Sequence, residues 1–240
     1  MEDEKKLPEG LRLNHGKAAS ASPDLKIVGE EIDAIVNRMK NNSLGYSAEN
    51  IRRDREREIA AAEARIVDAV PSVFKVRVLS SPPRPEVEAL KQGKTVLILG
   101  AVGTGKTTIA FSVAYQYLSW VFRNRKERRV EYSFFSEAEY FARLLDRKAK
   151  FEDFAFKEST IKKSLVVFDD LLSRSNSNFE HSELLFLVDG RYKWLQPTIY
   201  TSNKSLNEIG NFDDRIASRL ASGIVIKTGS EEDFRLIKNT

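Results

Sequence analysis

The chain has 240 residues, of which 41% are hydrophobic and 31% charged, and its net charge is +4. This composition can form a hydrophobic core and predicts a soluble, cytoplasmic protein with a mild basic bias, built as one large domain or as a compact domain with an extension. Because there are no cysteines and only two histidines, His15 and His181, it excludes disulfides and thiolate metal sites. We expect no membrane partner, since no secretory signal opens the chain and no apolar run approaches the roughly 20 residues that span a bilayer.

The N-terminal part of the chain differs in composition from the rest. Residues 1–25 are polar and we expect them to be flexible, whereas the apolar residues of 24–40 support a short helix with one apolar face. Residues 48–69 predict a longer helix that Pro71 stops. The charge run of this helix is typical of a solvated surface. The alternative is a docking arm for another protein, which the following segment SSPPRP would let move.

Apolar strands and amphipathic helices alternate in the second part of the chain. Strands are predicted at 95–100, 130–135, 164–170, 197–203 and 223–228. Ser136 and Glu139 form a capping box that starts one of the intervening helices. The alternation predicts a three-layer α/β domain with a mostly parallel sheet over 94–240, preceded by a linker, 76–93, and by a flexible or helical partner-binding region, 1–75.

The segment GAVGTGKTT matches the pattern G-x-x-x-x-G-K-[ST] between a predicted strand and a predicted helix. Its glycines let the backbone bend so that N–H groups converge on phosphate oxygens, and the positive end of the helix adds to the attraction. Lys106 would bridge the β- and γ-phosphates of ATP, and the Thr107 hydroxyl would ligate Mg²⁺. A glycine-rich turn that binds nothing is the disfavoured alternative. The predicted nucleotide-binding residues are Gly100, Ala101, Val102, Gly103, Thr104, Gly105, Lys106, Thr107 and Thr108.

Polar side chains follow two of the later predicted strands. Asp169 and Asp170 end the run LVVFDD, where Asp169 would hold Mg²⁺ through water and Asp170 could orient or deprotonate an attacking water. Asn203 ends the next strand and can reach the γ-phosphate and its water. The alternatives are that the aspartates cap the next helix and that Thr201, Ser202 and Asn203 form a turn.

Arg215 and Arg219 lie four residues apart in the stretch DDRIASRLASG, on one face of a predicted helix. As an isolated pair they would be a solvated helix edge bonded to Asp213 and Asp214, and they would contribute little to stability. Their position after the other motifs makes a functional role the stronger hypothesis.

These four motifs, in this order, resemble the AAA+ ATPases, and most closely the DnaC-type bacterial replicative-helicase loaders and the related IstB-type transposition ATPases. The resemblance covers residues 90–235. It implies that Asn203 is the sensor 1 residue and that Arg219, assisted by Arg215, is an arginine finger that enters the ATP site of a neighbouring subunit. The second Walker B acid, Asp170, stands where the family more often has Glu, which would make hydrolysis slow. A sensor 2 arginine cannot be assigned, since Arg235 is a poor candidate.

The resemblance implies an ATP-dependent DNA replication protein that loads a hexameric, DnaB-type replicative helicase on single-stranded DNA, with residues 1–75 binding the helicase. Three alternatives stay open. An IstB-type helper of a transposase would use the same chemistry and prefer duplex DNA, a P-loop small-molecule kinase would need a substrate pocket and an arginine in cis, and an ATP-binding adaptor would not hydrolyse ATP.

Two basic segments are candidates for DNA contact. Residues 123–129 carry five cations, which can equally complement the C-terminal end of the helix they follow. Residues 146–160 interleave lysines with phenylalanines, which can form a stacking platform for single strands, although three Phe at this spacing are more often core. The residues concerned are Lys148, Lys150, Lys157, Phe151, Phe154 and Phe156.

Overall fold

The structure is a computed structural model that describes residues 48–124, 130–173 and 177–229. The chain divides into two compact units, Met1–Asp54 and Arg55–Thr240. The predicted flexible N-terminus, the predicted helix at 24–40, most of the first basic segment and Arg235 lie outside the described residues. Within them, no helix combines the length and the apolar character needed to cross a membrane.

The centre of the larger unit is a five-stranded sheet in which every described strand pair is parallel. In spatial order the strands are β2, β3, β4, β1 and β5. Because β1 lies beside β4, and β4 beside β3, the carboxyl ends of these three strands meet at one edge of the sheet. The strands are β1 Thr95–Leu99, β2 Tyr132–Ser136, β3 Leu165–Leu171, β4 Thr198–Ser202 and β5 Ile224–Lys227.

Helices precede the sheet and connect its strands. Five predicted helices are confirmed: the long N-terminal helix, the helix after the glycine-rich loop, one after the second strand, one after the third strand, and the helix that carries Arg215 and Arg219. Four other short helices, of six to ten residues, were not predicted because segments of this length show too little periodicity. The helices are α1 Ala48–Ala69, α2 Ser72–Leu79, α3 Glu86–Lys91, α4 Lys106–Asn124, α5 Glu137–Ala149, α6 Asp153–Lys162, α7 Asn178–Lys193, α8 Leu206–Phe212 and α9 Asp214–Leu220.

Each face of the sheet has its own hydrophobic core, because successive side chains of a strand point to opposite faces. On one face, Val96 and Ile98 of β1 pack with the buried stripe of α4. On the other face, Leu97 and Leu99 pack with residues of α5, α7 and α9. This arrangement confirms the predicted three-layer α/β class and covers the apolar strands on both sides.

The second half of α1 packs against α4, while its charged first half is largely exposed. Ile66 is fully buried in the core on the α4 side. Arg55 donates a hydrogen bond to the Phe122 carbonyl oxygen at 2.9 Å, and Glu63 pairs with Arg123 at 2.9 Å. The prediction of a solvated helix therefore holds for the charged first half of α1. Ile66 attaches the second half of α1 to the core on the α4 side.

Residues 76–93, which were predicted to be a linker, contain the end of α2 and all of α3. Between the two helices the chain is bonded to Gln116 of α4. The Gln116 amide donates to the Pro82 carbonyl oxygen at 2.8 Å and accepts from the Arg84 N–H at 2.8 Å. Hydrogen bonds to a side chain of the sheet-packed helix α4 thus give this segment a defined position.

Candidate nucleotide-binding site

The loop between β1 and α4 bends at glycines. Gly103 and Gly105 have φ angles of 82° and 86°, a region that residues with a Cβ rarely adopt. A Cβ on Gly100 would overlap the Thr228 side chain, so this position must also lack one. The loop therefore has a tight backbone that ends at the N-terminus of α4, where unpaired N–H groups and the helix dipole favour an anion.

The Lys106 ammonium lies inside this loop. Its side chain is part of a residue only 5% exposed, and Nζ donates to the Ala101 carbonyl oxygen at 2.8 Å and to Asn203 Oδ1 at 2.6 Å. Two residues predicted from motifs 97 positions apart are thus in direct contact. The contact places the polar end of β4 beside the cation that would bind phosphate.

A hydroxyl–carboxylate cluster lies next to Lys106. Thr107 Oγ1 donates to the Asp169 carboxylate at 3.1 and 3.2 Å. Thr201 Oγ1 donates to Asp169 Oδ1 at 2.5 Å and accepts the Asp170 N–H at 2.9 Å. The predicted strand is confirmed for Thr201 and the alternative of a turn is not: the residue lies in β4, fully buried, and its hydroxyl contacts both acids. A polar residue within a buried strand is the sequence signal that could have identified it.

Burial raises the pKa of Asp169 above its ordinary value. The hydrogen bonds from Thr201 and Thr107 and the charge of Lys106 act in the opposite direction, while the neighbouring Asp170 adds to the rise. Carboxylate and hydroxyl oxygens are the ligands that Mg²⁺ prefers, and a divalent cation would favour the ionised form of this buried carboxyl. Thr107 and Asp169 therefore fit the predicted magnesium site.

Asp170 has an unusual backbone conformation. Its φ is 57°, in the left-handed region, and the pairing of β3 with β4 shifts register between Phe168 and Leu171. A non-glycine residue in this region costs of order 1–3 kcal/mol, and such strain is common at functional sites. The bulge turns the Asp170 side chain into the cavity beside the loop.

A cavity of about 160 Å³ lies over the loop and brings most of the predicted site residues together. Two lining residues were not predicted, because Phe74 and Arg77 belong to α2, which precedes the sheet. Gly100 and Ala101 line a second cavity on the far side of Asn203, and Thr104 is directed to Thr228 of the chain after β5. The predicted residues that line the first cavity are Val102, Gly103, Gly105, Lys106, Thr107, Thr108, Asp170 and Asn203.

The two predicted arginines do not line this cavity in their own chain. Arg215 donates two hydrogen bonds to Asp213, at 2.7 and 3.1 Å. Arg219 pairs with Asp189 of α7 at 2.6 Å and donates to the Arg215 carbonyl oxygen at 3.0 Å. The pairing with Asp213 agrees with the expected helix edge, whereas Asp189 is a partner that the sequence did not indicate.

Asp213 fixes the start of α9. Its carboxylate accepts the N–H groups of Arg215 and Ile216, and His181 Nε2 lies 2.7 Å from its other oxygen. The Arg215 guanidinium holds the pKa of this carboxyl well below its usual range. The helix that carries both arginines is therefore attached to α7 through its N-cap residue.

The second candidate DNA segment folds as the end of α5, a turn and α6. The Phe156 ring packs against Phe135 and Tyr140, so this residue is part of the core. Two of the lysines form ion pairs, Lys150 with Asp146 and Lys157 with Glu183. Phe151 and Phe154 remain exposed, at 95% and 64%, so a ligand could reach these two rings of the predicted platform.

A parallel sheet with this loop, the acidic end of β3 and the polar end of β4 defines a P-loop ATPase of the AAA+ type. Residues 87–227 match the family model described as the bacterial DnaA ATPase domain. The match covers more than half of the chain, and the chain belongs to this family. The predicted resemblance to AAA+ replication ATPases is thereby confirmed at the level of the class.

Individual relatives agree with this assignment. The chromosomal replication initiator protein DnaA of Onion yellows phytoplasma (strain OY-M) is 29% identical over 135 residues, which are 56% of this chain and 26% of that protein. The same protein of Ureaplasma parvum serovar 3 is 25% identical over 146 residues, 60% of this chain and 30% of the relative. The chain thus spans less than a third of the length of these curated relatives.

Solved structures show the same fold. AMPPCP-bound DnaA from Aquifex aeolicus superimposes with a TM-score of 0.51 and 21% identity, covering 62% of this chain and 46% of that one. Domain III of the Thermotoga maritima replication initiation protein DnaA gives a TM-score of 0.52 and 21% identity, covering 68% and 65%. A replication initiator DnaA bound to AMPPCP and single-stranded DNA gives a TM-score of 0.52 and 20% identity, covering 62% of this chain and 46% of that one.

Proposed function

We propose that the chain is an ATP-hydrolysing DNA replication protein whose ATP sites are completed between copies, and that it loads a DnaB-type replicative helicase on single-stranded DNA. One observation carries the first part. The phosphate-binding loop, Asp170 and Asn203 line one cavity and Asp169 is bonded to Thr107 beside it, whereas Arg215 and Arg219 lie outside it, bonded to Asp213 and Asp189. Arg219 can then act at a γ-phosphate only in the site of a second copy.

Each residue has a distinct role in this site. The loop N–H groups and Lys106 bind the phosphates, and Thr107 and Asp169 hold Mg²⁺. When bound, the ion neutralises charge that develops on the phosphate oxygens. Asp170 accepts a proton from the attacking water or orients it, and Asn203 fixes the water beside the γ-phosphate. Arg219 of a neighbouring copy stabilises the charge of the transferring group.

The shared site is tested by mixing two inactive proteins. Arg219→Ala should leave ATP binding largely intact and lower the assembled ATPase rate about 10³-fold, the lower range for an arginine finger. Lys106→Ala should not bind ATP. Mixtures of the two should recover activity, because Lys106→Ala copies supply Arg219 to intact loops. The control is Arg143→Ala, which removes an exposed arginine paired with Glu139. Mixtures that stay inactive would contradict action in trans.

The helicase partner is tested by capture of the source organism's replicative helicase with the full-length chain, with ATP and with ADP. The matched truncation removes residues 1–54 and keeps the compact unit Arg55–Thr240. A deletion to residue 75 would also remove Ile66 and Val70, which are buried, and would confuse partner binding with folding. We expect capture by the full chain and its loss on truncation. No capture in either nucleotide state would refute helicase loading.

A second candidate is a DnaA-type initiator, which the family match favours. The DNA and protein preferences separate the candidates. A loader binds helicase and has its ATPase stimulated by single-stranded DNA, an initiator binds single strands without capturing helicase through residues 1–54, and a transposase helper prefers duplex DNA. A small-molecule kinase would turn over ATP at a rate per copy that does not change with protein concentration.

A further inference from the structure

Helix α2 is anchored over the start of α4 by apolar contacts. Val78, and Val70 just before the helix, are buried and pack with Phe111 of α4. The Phe74 ring stacks on Phe111 with a centroid distance of 5.8 Å, and Phe111 in turn contacts Phe134 of β2. The Gln116 bonds fix the chain beyond the helix. Side chains on the Phe74 side of α2 therefore have a defined position relative to the loop.

Arg77 lies three residues after Phe74, and residues at this spacing share one side of a helix. Both line the cavity over the phosphate-binding loop. Arg77 is the only arginine among the described residues that line it. Within the described part of the chain this guanidinium forms no ion pair and no hydrogen bond, although five of the nine other residues that line the cavity are polar or charged.

The charged groups around the cavity indicate which ligand Arg77 would bind. Lys106 is a cation whose ammonium is already bonded to Ala101 and Asn203, and Asp170 adds a negative charge. A nucleotide polyphosphate carries several negative charges, and a guanidinium presents five donors in a planar fork that matches phosphate oxygens. An unpaired arginine on a fixed helix beside a phosphate-binding loop fits this ligand better than any protein group nearby.

We propose that Arg77 is a second phosphate-binding cation, supplied in cis by the helix that precedes the sheet. The inference rests on the proposed nucleotide site. Arg77 binds the polyphosphate in the same copy as Lys106, before any contact with a second copy. Arg77 thereby supplies an arginine in cis from the N-terminal side of the sheet. The sequence after β5 gave no candidate for such an arginine, since a sensor 2 residue could not be assigned there.

The test is equilibrium binding of ATP and ADP, each with Mg²⁺, to the full-length protein by calorimetry. Arg77→Met should weaken binding about tenfold or more, the effect of losing one charge-assisted hydrogen bond. Lys75→Met is the control on the same helix, because Lys75 pairs with Asp68 at 3.4 Å and does not line the cavity. It should bind both nucleotides like the wild type. Thermal unfolding without nucleotide should be similar for both variants.

Three results would overturn the inference. They are an Arg77→Met protein that binds both nucleotides as tightly as the wild type, a Lys75→Met protein that loses as much affinity as Arg77→Met, and an Arg77→Lys protein that binds no better than Arg77→Met although it restores a charge. Failure of the proposed function is a separate result. Binding by one copy needs neither Arg219 nor a helicase, so the Arg77 inference stands even if mixtures of Arg219→Ala and Lys106→Ala stay inactive.

Discussion

Two buried cations lie at opposite edges of the same sheet. Lys106, 5% exposed, is at the carboxyl edge, and Arg191, 1% exposed, is at the amino edge where β4 begins. Arg191 donates to Thr198 Oγ1 at 2.7 Å and to the Pro197 carbonyl oxygen at 2.6 Å. It also donates to three carbonyl oxygens at the end of α6, those of Thr160, Ile161 and Lys163.

The difference between them separates a structural cation from a binding one. Burial lowers the pKa of Arg191 to about 10, and its described hydrogen bonds go to neutral oxygens that include the negative end of α6. All three of its nitrogens are bonded, and little donor capacity remains for a ligand. The Lys106 ammonium lines a cavity. A buried cation that faces a cavity, rather than burial alone, indicates a site.

The largest expected effect is on the Arg191 side of this comparison. Arg191→Met leaves five oxygen acceptors without their donor, and buried unsatisfied groups cost about 1–3 kcal/mol each before relaxation. We expect a loss of about 4 kcal/mol in the free energy of unfolding, measured by denaturant titration. ATP affinity of the molecules that remain folded should be unchanged. A loss below about 1 kcal/mol would show that solvent or neighbouring groups replace the guanidinium.

Lys106→Met should give the reverse result. Without the cation, ATP affinity should fall about 100-fold or more, as expected for loss of charged hydrogen bonds to phosphate. The free energy of unfolding should stay within about 1 kcal/mol of the wild type, because removing a buried charge also removes its desolvation cost. Calorimetry and denaturant titration of the same preparation measure both. Unfolding comparable to that of Arg191→Met would abolish the distinction between the two edges.

Two threonines of β4 sharpen the comparison within one strand. Thr201 donates to Asp169, and Thr201→Val removes a bond that lowers the pKa of that carboxyl, so its pKa should rise further. In the pH–rate profile of the ATPase, the rise on the acidic side should then shift to higher pH, and the rate at neutral pH should be about tenfold lower. Thr198→Val is the matched change beside Arg191. It should lower the free energy of unfolding without shifting the pH–rate profile. An unchanged pH–rate profile for Thr201→Val would show that Thr201 does not act in the nucleotide site.

The smallest expected effect concerns Asp213. Asp213→Asn keeps a side chain that can cap α9 but removes the charge that Arg215 and His181 contact. Because the folded pKa is depressed, this charge stabilises the protein above the unfolded value near 3.9, and the contribution is lost as pH falls through the folded pKa. We expect about 1 kcal/mol less stability at pH 7 and a difference that shrinks below about pH 4. A constant difference would contradict a charge effect.

The sequence predicted those parts of the site that lie within continuous motifs. The loop, Asp169 and Asn203 could be placed because strand, turn and helix follow one another along the chain, and parallel strands end at one edge. Thr201 was placed in a predicted strand, but its bond to Asp169 was not predicted because this partner lies 32 residues away, on another strand. Arg77 was missed for a similar reason, since tertiary contacts such as the packing of Phe74 on Phe111 bring α2 over the loop.

The bond between Thr104 and Thr228 sets a practical limit on how the molecule can be divided. The two hydroxyls are 2.6 Å apart, and the Thr228 N–H donates to the Leu99 carbonyl oxygen at 2.7 Å. The residue that follows the last strand thus braces the loop that follows the first. An expression fragment cut before Thr228 would keep every nucleotide-binding motif and lose this brace. Fragments intended for nucleotide binding must therefore extend past β5.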